Sequence, residues 1–307
     1  LTRPSFFFFC RSFFAYPPFY LLEVREIHFF FIHLQLVRHT SAREAEQIPT
    51  SSKSMDDSTR VIFLPETDST NSFLRNYRQA DDERITVVWT DFQTAGRGCG
   101  TNTWESEAGK NLTLSMLLRP EGVAARDQFI VSMANALALK ETLDAYTDGI
   151  TIKWPNDTYW HDGKLCGTLI ETTLRGSHIG SFIVGTGINV NQRVFRSDAP
   201  NPVSLCQILG HEVDREQLLR RLTDARSQYI NKVEQGSWND IRTRYRAALY
   251  RRNEVHPYRL PDGTVASLVL IDVEDDGHLL LAPPDGGGLL RFGFKEVQFC
   301  MREDDSK

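Results

Sequence analysis

Three glycines and an arginine fall within five residues of the stretch 93–104, QTAGRGCGTNTW: Gly96, Arg97, Gly98 and Gly100. Glycine has no side chain in the way and tolerates φ > 0, so such a loop can bring bare backbone N–H groups up to an anion. Arg97 adds a permanently charged planar fork suited to phosphate or carboxylate. Taken alone, the same loop is equally well a mobile surface hairpin. About fifty residues on, Lys153 stands between Ile152 and Trp154 in ITIKWPND. A buried, unpaired lysine is costly. Either Lys153 is paired with a carboxylate such as Asp157, or it is a cation held for an anionic ligand. Further candidates are Ser69 and Thr70 in ETDSTN and Gly185 and Gly187 in GTGINVN. Ser69 and Thr70 are small two-way hydrogen-bonding groups able to read the polar end of a ligand, though residues of this type also cap helices. The two glycines either admit a ligand closely or relieve crowding at a strand end.

These residues need a scaffold, and the patterning supplies one. Strands are expected at 60–64, 85–89, 111–118, 150–154, 164–171 and 179–184, with 159–163 as a turn, from their β-branched and aromatic runs and the turn residues between them. Residues 72–78 begin a helix behind the capping group at 68–71. The spacing of Phe129, Ile130, Met133, Ala136, Leu137, Leu139 and Leu143 is helical, so 127–146 is a core-packing helix. Helices are also expected at 217–234 and 238–250. From about Arg251 the texture changes to short strands at 267–273, 278–282 and 291–297 with turns at 275–277 and 283–288, the pattern of a small β-barrel.

The whole chain has 307 residues, enough for two domains. A net charge of −5 gives no electrostatic footprint for nucleic acid. Five scattered cysteines (Cys10, Cys99, Cys166, Cys206 and Cys300) include no CxxC, which suggests neither a disulfide framework nor a zinc site and fits a reducing cytoplasm. Residues 1–54 differ from the rest, with Phe6 to Phe9 consecutive and apolar runs broken by Arg11, Glu23, Arg25 and Glu26. No unbroken apolar stretch reaches the roughly 18 residues of a membrane span. The expectation is that 1–54 is upstream-translated or disordered sequence and that the working protein starts at Met55.

Taken in order, DSTN (68–71), QTAGRGCGTNTW (93–104), KWPND (153–157), GKLCGTLIE (163–171) and GTGINVN (185–191) closely resemble the motifs of the biotin–protein ligase family. The resemblance runs from about Arg60 to the C-terminus. It implies an α+β fold: a mixed β-sheet catalytic domain with helices, of the class II synthetase-like biotin/lipoate ligase type, over 55–250, and a small SH3-like β-barrel over 251–307. It implies ATP with Mg²⁺ and biotin as substrates, with biotinyl-5′-adenylate formed and then passed to a lysine of a biotin carboxyl carrier protein. By the resemblance, biotin is held by Ser69, Thr70, Asn71, Gln93, Gly96, Arg97, Gly98, Cys99, Lys153, Gly167, Gly185 and Gly187. The nucleotide is held by Arg97, Trp104, Lys153 and Asn189, and Arg97 and Lys153 carry the catalysis. The loop departs from the commonest family pattern, GRGxxGxxW, with Cys99 and Gly100 where basic residues often sit and Thr101 where glycine is usual. Any contact from Cys99 is expected through its backbone.

No helix-turn-helix pattern lies ahead of the first strand, which with the acidic balance implies a monofunctional ligase that binds neither DNA nor membrane, and a homodimer is compatible with it. Two alternatives stay open. One is a lipoate or octanoate ligase or transferase of the same fold; the other is a non-catalytic biotin sensor.

Overall fold

The computed structural model describes residues 58–301 apart from 82, 101, 198 and 200. The readings made for 1–54, and the start at Met55, lie outside the described residues. Strand β1 (Thr59–Thr67) leads to helix α1 (Thr70–Asn76), then β2 (Ile85–Gln93) and β3 (Leu112–Leu118). Helix α2 (Phe129–Asp144) precedes β4 (Ile150–Lys153), β5 (Asp157–Trp160), β6 (Gly163–Arg175) and β7 (His178–Ile188). Three helices follow: α3 (Leu205–Leu209), α4 (Arg215–Glu234) and α5 (Trp238–Ala247). The chain ends in β8 (Val255–Arg259), β9 (Val265–Val273), β10 (Leu279–Ala282), β11 (Leu290–Phe292) and β12 (Gln298–Phe299).

Seven strands form one mixed sheet in the order β1-β2-β3-β7-β6-β5-β4. The β1–β2 pair is parallel and the other neighbours are antiparallel. Alternation along each strand sends successive side chains to opposite faces. In β3 the even positions Leu112, Leu114, Met116 and Leu118 enter the main core beside Met133, Leu137 and Leu139 of α2. The odd position Leu117 faces the other way, packing with Ile62, Val88, Ile183 and Leu74 of α1. All seven residues of β3, LTLSMLL, are buried, so the strand is covered on both faces and even Thr113 and Ser115 lie away from bulk solvent. Among the described residues no helix is long and apolar enough to cross a membrane.

The last five strands form a second, antiparallel sheet in the order β11-β10-β9-β8-β12. Its apolar residues Tyr258, Leu268, Leu270, Leu279 and Leu281 belong to the same core cluster as the large sheet. The indole N–H of Trp154 donates to Gly277 O at 2.9 Å, tying the β4–β5 turn to the β9–β10 turn.

Three local differences from the sequence reading have physical causes. Tyr159 and Trp160 lie in β5, not in a turn. Tyr159 is buried, and the strand pairs on both sides, so only 161–162 are left to reverse the chain, with His161 at φ 46°. Helix α5 stops at Ala247 because the next residues pair with β4: Ile152 N–H donates to Ala248 O and Tyr250 N–H to Ile152 O. Helix α4 begins two residues early because the Asp214 carboxylate accepts from the N–H groups of Glu216 and Gln217.

Leu139 has no exposed surface and sits in the middle of α2 against the sheet. Leu139→Ala is expected to lower stability by about 3 kcal/mol. A urea unfolding curve with an unchanged midpoint would contradict this packing.

Candidate functional site

A cavity of about 1140 Å³ opens on the face of the large sheet turned away from α2 and α4. Its floor follows from one register. Gly167 of β6 is paired with Gly187 of β7, and Leu169 with Gly185. Intervening Thr186 points to the helical side, where it accepts a hydrogen bond from the buried Arg226 of α4. A side chain at Gly185 would collide with the amide of Asn71, and one at Gly187 with the indole of Trp104. These glycines therefore create a flat floor on which other groups lie directly against the backbone. From Gly185 to Asn189 this floor runs about 13 Å at the usual strand rise.

One end of the cavity is neutral and polar. Ser69 is the N-cap of α1, its hydroxyl 3.5 Å from the Ser72 N–H. Thr70 donates to Gln93 Oε1 through both its N–H (2.8 Å) and its hydroxyl (3.1 Å). The buried Ser115 hydroxyl lies 2.6 Å from Thr70 Oγ1 and 2.5 Å from Asn71 Oδ1, while Asn71 Nδ2 donates to Glu171. Asn71 thus has both ends of its amide engaged. Ser115 was not foreseen from the sequence. It is an unremarkable serine in an apolar strand until the register brings it under Thr70.

The other end is cationic, and here the structure adds a residue. Asp157 does not pair with Lys153; its carboxylate holds the Lys164 ammonium at 2.7 Å. Lys164 and Asp157 both line the cavity, and Asp157 lies within 3.6 Å of the position a Gly167 Cβ would take. Lys153 also borders the cavity, but its ammonium is 4.6 Å from the Phe299 ring centroid and 5.5 Å from that of Tyr159. Burial pulls its pKa down from the ordinary 10.5, and the neighbouring Asp157 only partly offsets this. Lys164 stands two residues before the Cys166–Gly167 pair in a motif that the sequence reading quoted without giving the lysine a role. Cys166 faces the helical side, where burial pushes its thiol up to about 12, so it offers no thiolate.

The loop between β2 and β3 forms a small hairpin over this floor. Arg97 bridges Thr103, Gly98 N–H donates to Asn102 O at 2.7 Å, and Trp104 N–H donates to Gly96 O at 3.1 Å. Its Arg97 guanidinium rests on Glu171 at 3.3 Å, a carboxylate that Arg75 also holds at 2.8 Å. Trp104 closes the hairpin with its ring on the glycine floor and its indole nitrogen buried without a hydrogen-bond partner.

Ser69, Thr70, Asn71, Gln93, Arg97, Gly98, Cys99 and Trp104 all border this one cavity, as do Lys153, Gly167, Gly185, Gly187 and Asn189. Gly96 does not; it lets the hairpin close, since a Cβ there would meet the Trp104 carbonyl at 2.8 Å. Asn189 spends its Nδ2 on the carbonyls of Lys164 and Val203. The cavity can therefore seat an elongated ligand with an uncharged polar head at the hydroxyl end, an apolar middle against the Trp104 ring that lies on the glycines, and anionic groups at the lysine end.

The chain is similar to several known proteins. Residues 63–189 match the model of the biotin/lipoate A/B protein ligase family. The biotin--[acetyl-CoA-carboxylase] ligase of Paracoccus denitrificans is 30% identical over 234 residues, 73% of this chain and 95% of that protein. The bifunctional ligase/repressor BirA of Salmonella typhimurium is 35% identical over 170 residues, 54% of this chain, and the match spans only about half of it (52%). Among solved structures, the Aquifex aeolicus biotin protein ligase in complex with biotin and ATP superposes with a TM-score of 0.65 at 24% identity, covering 78% of this chain and 99% of that one.

The lowered pKa of Lys153 has a consequence for stability. Below its folded-state pKa the lysine is charged in both states and the full burial penalty acts. Between that value and 10.5 the folded form releases its proton while the unfolded chain keeps it, so this penalty shrinks as pH rises. Lys153→Met is expected to raise the urea midpoint at pH 7, with a gain that diminishes towards pH 10.5. A gain that is constant or grows with pH would place the ammonium in solvent.

Proposed function

This chain belongs to the biotin/lipoate A/B protein ligase family, and from that premise we propose that it is a biotin–protein ligase acting in two steps on one cavity. First, the biotin carboxylate attacks the α-phosphorus of ATP, giving biotinyl-5′-adenylate and releasing pyrophosphate. Next, the amine of a lysine on the carrier domain of a biotin-dependent carboxylase attacks the acyl carbon, loses a proton and releases AMP. The observation that carries this reading is the polarity of the cavity: hydroxyl and amide groups at one end of a glycine floor and two lysines at the other, with the hairpin's Arg97 resting on Glu171 at the α1 side.

At the polar end the ureido ring has partners in the Ser69 and Thr70 hydroxyls and the Gln93 amide, which offer both donors and acceptors to an uncharged group. The apolar chain packs on the Trp104 ring, which the glycine floor admits. At the far end two anions, a carboxylate and a phosphate, must approach each other, and a preorganised set of cations in a partly desolvated site lowers that barrier most. Arg97, Lys153 and Lys164 supply the charge. Lys164 carries its ammonium on the cavity face, while Lys153 adds its field from among aromatic rings. Asn189 and the Trp104 ring border the nucleotide side. Magnesium enters with ATP as part of the substrate, and a carboxylate such as Asp157 suits an ion that usually takes one or two protein oxygens and fills its shell with phosphate and water.

Arg97 starts on Glu171, and an incoming anion competes for it. Closure of the hairpin then shields the mixed anhydride from water. The cytoplasm is proposed as the compartment on the scattered cysteine set. A DNA-binding role is not proposed, given the net charge of −5.

The test uses the full chain with Mg-ATP and biotin, following pyrophosphate release and then label transfer to a carboxylase carrier domain. Release and transfer are both expected. Release with lipoate or octanoate but not biotin would shift the reading to the neighbouring activity, and silence with all three would overturn it. Lys164→Ala is expected to cut the adenylation rate by about 100-fold or more, on the scale of losing one preorganised charge contact. Lys153→Met is expected to cost less. The reverse order would return the leading role to Lys153.

A further inference from the structure

The Gly-rich hairpin carries Arg97 as its single charged residue between Gln93 and Trp104. Polyphosphate loops generally rely on more positive charge than that, because a nucleoside triphosphate brings several negative charges to a small volume. A second cation does reach the hairpin, from 195 residues further along the chain. Lys295 lies in the connection between β11 and β12, and its Nζ stands 2.5 Å from where a Cβ of Gly100 would be. Gly100 is at φ +70°, so glycine there serves both the backbone turn and the approach of the lysine.

The placement of Lys295 is built, not incidental. Its own backbone is in the left-handed region, at φ 67°, a conformation a lysine adopts at some cost. Glu296 holds the turn by accepting from the Gly293 N–H. Phe294, just before it, packs edge-on against Trp154 at 6.4 Å, next to Lys153 and the cis peptide at Pro155. Both Phe294 and Lys295 border the cavity. The salt bridges among the described residues include none for Lys295, and the Glu296 carboxylate is engaged with Gly293. An exposed cation therefore stands at the cavity beside the Gly100 turn of the hairpin, its ammonium 5.8 Å from the Phe294 ring.

We infer that Lys295 completes the Gly-rich hairpin, supplying from the second sheet the positive charge that Cys99 and Gly100 do not, and that its ligand is the β- and γ-phosphates of the nucleotide. This rests on the ligase reading for the identity of the nucleotide. The polar end of the cavity is lined by uncharged groups, so a cation at the mouth serves the outermost and most highly charged part of the ligand, which departs as pyrophosphate.

Two measurements test it on the full chain. Equilibrium dialysis with labelled Mg-ATP reads nucleotide binding whether or not turnover occurs, and pyrophosphate release gives KM for ATP and for biotin. Lys295→Ala is expected to weaken ATP binding and raise KM for ATP about tenfold, the scale of one charge-assisted contact. KM for biotin and transfer from supplied biotinyl-5′-adenylate should stay within twofold. Lys295→Arg should restore ATP binding, and Cys99→Arg in the Lys295→Ala background should restore it in part by returning the charge to the loop. Unchanged ATP binding in Lys295→Ala, an equal rise in KM for biotin, or failure of both restoring substitutions would overturn the inference. Absence of biotin-dependent pyrophosphate release from the unaltered chain would instead overturn the ligase reading, with dialysis still deciding whether Lys295 holds the triphosphate.

Discussion

The site depends on the register between β6 and β7. Because side chains alternate strictly, Gly185 and Gly187 face the cavity only while Phe182, Val184, Thr186 and Ile188 face the helices. A slip by one residue would put Val184 and Thr186 where the glycines now lie and would push the glycines into the core, emptying it. The same pairing sets Gly167 beside Gly187 and brings Glu171 to the α1 side, within reach of Asn71, Arg75 and Arg97. Beneath this floor Arg226 is buried, its pKa drawn down to about 10 by burial, with Thr186 accepting from its Nη2 while Nε and Nη1 find no side-chain or backbone partner among the described residues. Such a group adds positive field under the site and fixes the one β7 side chain that separates the two glycines.

Much of this arrangement was legible because it is local. The long strands and α2 announce themselves through periodicity, and the hairpin and glycine pairs through composition. Ser69 answers both readings the sequence allowed: it caps α1 and also borders the cavity. Helix α3 carried a readable signal that went unused, a capping box in which Ser204 and Gln207 satisfy each other's backbone groups.

What sequence reasoning missed is long-range. Nothing near Asp157 says that it will meet Lys164 rather than Lys153, because that choice follows from the β5–β6 pairing and from Phe299 of the second sheet occupying the space beside Lys153. Ser115 acquires meaning only from α1 lying above it. Strand β8, VHPYR, is interrupted by Pro257 and polar residues and β12 has only two residues, so neither shows a strand pattern, and the small sheet is held by sharing the main core rather than by a core of its own. That sharing is also why a lysine near the C-terminus can stand over a loop near the other end of the described chain.

The double engagement of Glu171 bears on how freely the hairpin can exchange partners. A carboxylate stripped of its sole counter-ion in a partly buried place faces a large penalty, which would lock the arginine in position. Under the proposed mechanism Arg75 and Asn71 stay behind when Arg97 leaves. The carboxylate is never orphaned, so moving Arg97 from protein to ligand is closer to an exchange between two equivalent docks than to the breaking of a bond. On that mechanism Glu171 is a resting berth rather than a lock. It keeps the guanidinium oriented over the floor while leaving it available to whichever anion arrives.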